Sequence, residues 1–343
     1  MPTLAAPHLE DLATRIFAAL GASEADARWI ATLLVRANLR GHDSHGVIRI
    51  PQYVTSVRQG HTNPRPAMKV ILETPTTAVV DGDLGFGQVV ARRATEVAVE
   101  KAARHGLAGV GVRRSNHVGR LADYAEMAAE RGFVGMMWTN AATAVSVVPY
   151  GGVGRRLSTN PLAIAVPGPN GDVAISVDMA TSLVAEGKVR VKRNRKEPLP
   201  EGWAIDAQGR PVTDPGAFYG PPRAGLRPMA GHKGTALALV VEVMAGILSG
   251  AGAITARPGP VLNGSFILLV EIQRFLPVAE FSEQVAELVA FVKSSEPAPG
   301  VSEVLVPGEP EARMTRERGA QGIPVEDETW RQIEAIAAEL KVG

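Results

Sequence analysis

Apolar positions recur first at helical spacing and then in short strand-length runs, and this change of period divides the chain. Leu9, Leu12, Ile16 and Leu20 lie on one face of a helix that Gly21 stops. Ser23, with Asp26 three residues on, caps a second helix carrying Trp29, Ile30, Leu33, Leu34 and Ala37 and ending near Gly41. A third carries Ile50, Tyr53, Val54 and Val57 and ends before Gly60. From about Met68 the runs shorten. Residues 68–72 and 78–81 read as strands, with a turn at Asp81-Gly82-Asp83. Helices at 88–104 and 121–131 then alternate with strands at 107–112 and 133–138. Further strands read at 162–166, 173–177 and 266–271, and further helices at 233–248, 281–292 and 326–340. Residues 188–215 form a polar excursion, and the stretch before the last helix reads as a loop rich in Glu and Arg.

Alternation of helices with short apolar strands predicts a layered α/β body. The two helical ends are expected to pack together, so that residues 1–75 and 300–343 form a helical, substrate-side unit around an α/β unit of residues 76–299. Apolar residues make up 45% of the 343 and charged residues 21%, enough for a sizeable core. The formal net charge of +1 gives no global field to draw nucleic acid or anionic lipid, so neither partner is expected. The absence of cysteine excludes thiolate metal sites, iron–sulfur clusters and thiol nucleophiles, and fits a cytoplasmic protein. No signal peptide is read at the start. The most membrane-like run, 236–254, contains Glu242 and several glycines, and reads as a buried core helix.

Four polar constellations interrupt this pattern. The first, Gly41-His42-Asp43-Ser44-His45-Gly46-Val47-Ile48-Arg49, crowds two histidines, a carboxylate, a hydroxyl and a guanidinium into a connection between helices. Histidine suits proton transfer near neutrality. Arg49 shares a face with His45 if a helix begins at Gly46, and an arginine clamps a carboxylate with two parallel hydrogen bonds. The same residues also suit a polar cap with a surface arginine. The second, Arg114 to Arg120, places His117 where a strand gives way to a helix, a usual ligand position, or alternatively a simple cap. The third joins Ser158-Thr159-Asn160-Pro161 to Asp178-Met179-Ala180-Thr181-Ser182. A carboxylate ending a strand orients a histidine as readily as it caps a helix. The fourth, Gly231-His232-Lys233-Gly234-Thr235, sets a lysine at a helix start without Walker spacing. The basic run of Lys188, Arg190, Lys192, Arg193, Arg195 and Lys196 alternates like the solvated face of a strand, with Lys188 a candidate for cofactor contact. Gly-x-Gly-x-x-Gly after a strand, His-Glu-x-x-His and Gly-x-Ser-x-Gly are all missing, so no Rossmann site, zinc site or nucleophile elbow is expected.

Taken in order, Gly41-His-Asp-Ser-His-Gly, Ser115-Asn-His-Val-Gly-Arg, Thr159-Asn-Pro, Asp178-Met-Ala-Thr-Ser, Gly202-Trp-Ala-Ile-Asp, Thr213-Asp-Pro and His232-Lys-Gly resemble the type-2 malate/L-lactate dehydrogenase family over nearly the whole chain. The resemblance implies a homodimer and a non-Rossmann NAD(P)-binding fold with a mixed sheet layered between helices. It implies NAD, with NADP as the rival, and a small 2-oxo or 2-hydroxy acid as substrate. A cyclic imino-acid reductase and a silent nucleotide-binding protein are the alternatives. By the same resemblance His45 is the acid/base, with Ser44 beside it and Arg49 on the substrate carboxylate. Asp178 supports that histidine and lies against the cofactor, and His117 is a rival proton carrier. Asn140, Thr159, Asn160, Pro161, Lys233 and the Pro307-Gly308-Glu309 turn match cofactor-contact segments, and the turn through Met179 and Ala180 joins them. Ser158 stands where many members carry Gly, and Thr235-Ala236 where an aromatic and a glycine are common.

Overall fold

A computed structural model describes residues 1–255 and 259–343. A two-residue strand β1 (Thr3–Leu4) precedes α1 (Ala6–Ala19) and α2 (Glu24–Leu39). Ser23 caps α2 as its spacing predicts, its hydroxyl accepting from the Asp26 N–H. Two single 3₁₀ turns, Asp43–His45 and Val47–Arg49, then lead into α3 (Ile50–Arg58). The strands and helices that follow are β2 (Lys69–Glu73), β3 (Thr77–Gly85), α4 (Gly87–His105), β4 (Leu107–Ser115), α5 (Ala122–Ala129), β5 (Phe133–Ala141), β6 (Leu162–Pro167) and β7 (Val173–Met179). After them come α6 (Glu186–Asn194), short strands β8 (Ala204–Ile205), β9 (Pro211–Val212) and β10 (Gly225–Leu226), and α7 (His232–Val241), which continues as a π-helical stretch, Glu242–Leu248. The chain ends with β11 (Asn263–Glu271), α8 (Val278–Lys293), α9 (Glu309–Gln321), β12 (Ile323–Pro324) and α10 (Asp327–Leu340).

The main sheet is mixed, in the order β2-β3-β4-β11-β5-β6-β7, with only β3 and β4 parallel. Its core is made by Ala78, Val80, Val110, Val112, Met137 and Ile267 against the alanine-rich faces of α4 and α5. A second core joins the chain ends: Leu12, Ile16, Phe17, Ile30 and Leu34 meet Ile323, Val325, Ile333 and Ala337, and β1 pairs with β12. A third, around Leu157, Val189, Leu199, Phe218 and Leu226, sits under the small sheet β10-β8-β9.

The single parallel pair makes one β3–α4–β4 crossover, and its glycines serve packing. A Cβ on Gly87 would lie 2.3–2.4 Å from the backbone of Asn116 and His117, so the start of α4 is sealed against that loop and offers no phosphate cradle. The fold is therefore the expected mixed sheet between helices without a Rossmann site.

Several local readings need correction. Asp81-Gly82-Asp83 lies inside β3, where left-handed Asp83 and Leu84 produce an irregular register, and the tight turn is at Thr74–Thr77 instead. The basic run forms α6: its period-2 alternation is overridden by burial of Val189 and by the Glu186–Arg190 pair, four residues apart on a helix. The Glu- and Arg-rich "loop" contains α9, which buries no side chain fully and so shows no apolar stripe. The polar excursion contributes Val189, Leu199 and Ala204 to the third core. Residues 236–254 are not a buried core helix, because Leu239, Val240, Val243, Ile247 and Leu248 are exposed. No helix among the described residues is long and apolar enough to cross a membrane.

Candidate active site

The catalytic candidates are placed by the connection between α2 and α3. The Asn38 side chain donates to Asp43 (2.7 Å) and accepts from the Val47 N–H (2.8 Å), fixing both 3₁₀ turns. Arg318 of α9 grips Asp43 from outside, at 2.6 and 3.1 Å. Arg49 closes the second turn rather than sitting within a helix begun at Gly46, and its Nε donates to the Ser44 carbonyl at 2.7 Å. His45 and Arg49 are thereby held together by a route the helical spacing did not describe.

Two cavities meet at His45. The first, about 370 Å³, is lined by His45, Arg49, Gln52, His117, Asn140, Ser158, Glu186, Arg190 and Tyr219, among others. The second, about 240 Å³, is lined by His42, Ser44, His45, Arg120, Asp178, Met179, Ala180 and Lys188, among others. His45, Gly119, Leu121, Thr159, Pro161 and Ala185 border both.

The His45 and His117 rings stack with centroids 5.5 Å apart. Ser44 Oγ lies 2.9 Å from His45 Nδ1, and the Tyr53 hydroxyl 2.7 Å from His117 Nδ1. Shielding from water pushes both imidazoles well below their usual pKa, and Arg49 adds to the effect on each. Both rings are neutral at pH 7. Arg49 is buried and reaches Gln52 Oε1 at 2.8 Å, while its Nη2 is 3.6 Å from Glu186. Glu186 also takes hydrogen bonds from Arg190 (3.2 Å) and Tyr219 (2.8 Å). Shielding works against its ionisation, but Arg49 and Arg190 outweigh it and keep its pKa low.

Asp178 is not bonded to His45. Its Oδ2 accepts the Ala122 N–H at 2.9 Å, at the start of α5. Shielding raises its pKa against the pull of Arg120, and its charge acts on His42 rather than on His45. The raised pKa of His42 follows from the same surroundings: burial opposes protonation, but the 3.2 Å contact with Glu311 and the charge of Asp178 overcome it.

The other expected residues divide into three groups. Thr159, Pro161, Met179, Ala180 and Lys188 border the cavities, Lys188 with no protein partner among the described residues. Asn140 and Asn160 are held in a buried network through Glu242, at 2.9 and 2.8 Å, and only Asn140 borders a cavity. Lys233, Gly308 and Glu309 border neither. The start of α7 is tied to the Thr181 turn through Met229 and Gly234, and Gly308 packs on Ser176 with Glu309 paired to Lys293. Sequence reasoning did not name Gln52, Tyr53, Gln88, Glu186 or Tyr219 as site residues, and named Arg190 only within the basic run. Only their juxtaposition by α3, α4, α6 and the 3₁₀ turn Pro215–Phe218 marks them.

Comparison with known proteins concerns the chain as a whole. The sequence profile described as malate/L-lactate dehydrogenase matches residues 4–334. The chain is 40% identical to the L-lactate dehydrogenase of Cupriavidus necator, over 92% of this chain and 91% of that one. The fold superposes on the sulfolactate dehydrogenase structure from Methanocaldococcus jannaschii with a TM-score of 0.89 and 36% identity, covering 100% of this chain and 98% of that one. It also superposes on the delta1-piperideine-2-carboxylate reductase structure from Pseudomonas syringae with a TM-score of 0.83 and 28% identity, covering 98% and 100%.

Proposed function

The chain belongs to the malate/L-lactate dehydrogenase family, and from that footing we propose that it interconverts a small 2-oxo acid and its 2-hydroxy acid, with NADH as the hydride carrier. The observation that carries this reading is the meeting of two neutral histidines and the Arg49 guanidinium in one cavity. Arg49 holds the substrate carboxylate, with Arg190 beside it; the long 3.6 Å contact with Glu186 leaves Nη2 able to donate to a ligand. His45 is the acid/base. In the tautomer whose Nδ1–H donates to Ser44 Oγ, 2.9 Å away, the lone pair on Nε2 takes the hydroxyl proton during oxidation and returns it during reduction.

The residues present suit a nicotinamide. Gly119, Pro161, Ala180 and Ala185 form a small, uncharged wall beside His45, and Lys188, exposed and unpaired among the described residues, can meet a phosphate. When bound, the nicotinamide supplies or takes the hydride. The chain's own part is to orient the acid, shield the reacting carbon from water and move the proton at His45 Nε2.

The likeness to a delta1-piperideine-2-carboxylate reductase supports a second reading, in which the carbon acceptor is a cyclic imine and Arg49 plays the same part. The exposed apolar face of α7, with Leu239, Val240, Val243, Ile247 and Leu248, supports a homodimer, which sedimentation velocity reads directly. The function is tested with a panel of 2-oxo acids and cyclic imines against NADH and NADPH, followed at the nicotinamide absorbance. Turnover of an oxo acid with NADH is expected. Turnover confined to imines transfers the site to the second reading, and no turnover with any member removes both. A strong preference for NADPH would give the basic residues of α6 a phosphate to bind.

A further inference from the structure

We propose that Tyr53, held by Gln88, is a positioning residue that locks His117 in the tautomer carrying its proton on Nε2, making His117 the hydrogen-bond donor to the reacting oxygen rather than the proton carrier. Tyr53 and Gln88 are buried, at 4% and 0% exposure, so each polar atom must find its partner within the protein. The Gln88 amide nitrogen donates to the Tyr53 oxygen at 2.7 Å. With that acceptor position filled by Gln88, the Tyr53 O–H points to the other neighbour, His117 Nδ1, at 2.7 Å. A neutral imidazole has one donor and one acceptor nitrogen. An Nδ1 that accepts therefore leaves the proton on Nε2, which has no protein partner among the described residues.

Two further observations support the direction of this chain. Burial pushes the Tyr53 hydroxyl up to about 12, so it keeps its proton and donates throughout the working range. The anchor is also rigid. Gln88 lies at the start of α4, where the Gln88 carbonyl is bonded by Trp29 at 3.0 Å and Gly87 is pressed onto the His117 backbone.

The inference rests on the reading of this cleft as an oxo acid site, and it gives the two stacked histidines different work. His45 offers a lone pair and His117 offers an N–H. An alcohol oxygen needs both, an acceptor for its proton and a donor for its lone pair, and the developing alkoxide needs the same donor. Two rings of one tautomer would leave one of those needs unmet.

The test is the tautomer itself. In wild-type protein labelled with ¹⁵N-histidine, with His117 assigned by comparison with His117→Gln, the expected pattern is Nε2–H with Nδ1 accepting. An Nδ1–H tautomer would overturn the proposal; it would arise if the Gln88 side-chain oxygen Oε1, buried and unpaired among the described residues, faced Tyr53 instead. This measurement needs no turnover, so it succeeds or fails independently of the oxo acid reading. Tyr53→Phe keeps the ring against Phe17 and Phe86 but removes the donor. The expected result is a mixed tautomer for His117 and a roughly tenfold fall in kcat for oxo acid reduction, as one oxyanion donor is weakened, with the KM for NADH unchanged. An unaltered tautomer and kcat in that variant would sink the assignment. If Tyr53→Phe does not fold, the wild-type spectrum still decides.

Discussion

The two cavities that meet at His45 differ most in how their charges are compensated. Arg49, Arg155, Arg190 and Arg223 line the first against Glu186 alone, whereas Arg120 and Lys188 line the second against Asp178. Arg155 shows what the excess costs. Shielding and the charge of Arg223 pull its pKa down to about 10, and its donors turn to the carbonyls of Ala224 and Phe218, with no acid paired to it among the described residues. A cavity with a large surplus of cation is completed by an anion, and one with a smaller surplus takes a group of less charge. On the proposed reading the first takes the acid and the second the nicotinamide. His45 stands at the junction, uncharged, with His117 stacked on it from the first cavity.

The largest effect should come from that junction. His45→Ala should lower kcat about 100- to 10,000-fold, the usual cost of a lost general acid or base, while NADH titrated by fluorescence binds nearly as before. If turnover survives there and is lost in His117→Ala, the roles of the two rings are reversed. Next comes Arg49→Lys, at a side chain that lines the first cavity. An ammonium cannot copy the two-pronged contact, and charge-assisted hydrogen bonds are worth about 1.5–3 kcal/mol each. The KM for the oxo acid should rise on the order of 100-fold, with cofactor affinity unmoved. Steady-state constants equal to wild type would remove Arg49 from the carboxylate.

This contrast was only partly legible in the sequence. His45, Arg49 and His117 stand in short polar motifs that interrupt apolar periods, and they do converge. The partners that tune them do not stand out. Tyr53 fits the apolar face of α3, and Gln88 is one polar residue at a helix start. Glu186 and Arg190 were hidden by the alternation Lys188-Val189-Arg190-Val191-Lys192, which mimics a strand until tertiary burial selects Val189 alone. Helix α9, which pins Asp43 through Arg318, has no apolar stripe to announce it. Asp178 shows the opposite failure: its type and place suggested a histidine partner, but the nearest donor was the Ala122 N–H at the start of α5.

One position should affect both cavities together. Helix α6 gives Glu186 and Arg190 to the first and Lys188 to the second, and it reaches the catalytic turn only because residue 187 is glycine. A Cβ there would stand 2.5 Å from Ser44 Cβ and 2.9 Å from Arg49 Nη2. Overpacking of this kind costs about 1–3 kcal/mol. Gly187→Ala should therefore fold but push α6 outward, lowering kcat/KM by roughly tenfold and raising KM for acid and cofactor alike. A change in the acid KM alone would show that the helix does not couple the cavities.

The smallest effect is also the most specific to the junction. Oxidation of the hydroxy acid needs His45 neutral, so its rate is lost as pH falls through the His45 pKa in the free enzyme. That pKa lies well below 6.5, because the cleft shields the ring and Arg49, His42, Lys188 and Arg190 all disfavour a charge on it. At pH 6.5 less than half of the enzyme carries the proton, so kcat/KM for oxidation should change by less than about twofold between pH 8 and 6.5. Reduction runs the other way. It needs the imidazolium, so its kcat/KM should fall about tenfold per pH unit across the same range, because every point lies above the pKa. The two profiles, measured with one acid pair, should thus be flat and steep respectively. An oxidation limb with its midpoint at or above pH 7 would mean that His45 is not held neutral by its surroundings, or that the proton is carried elsewhere. Raising the salt concentration should leave the flat profile flat, since the charges that depress His45 act across a shielded cleft that mobile ions screen poorly.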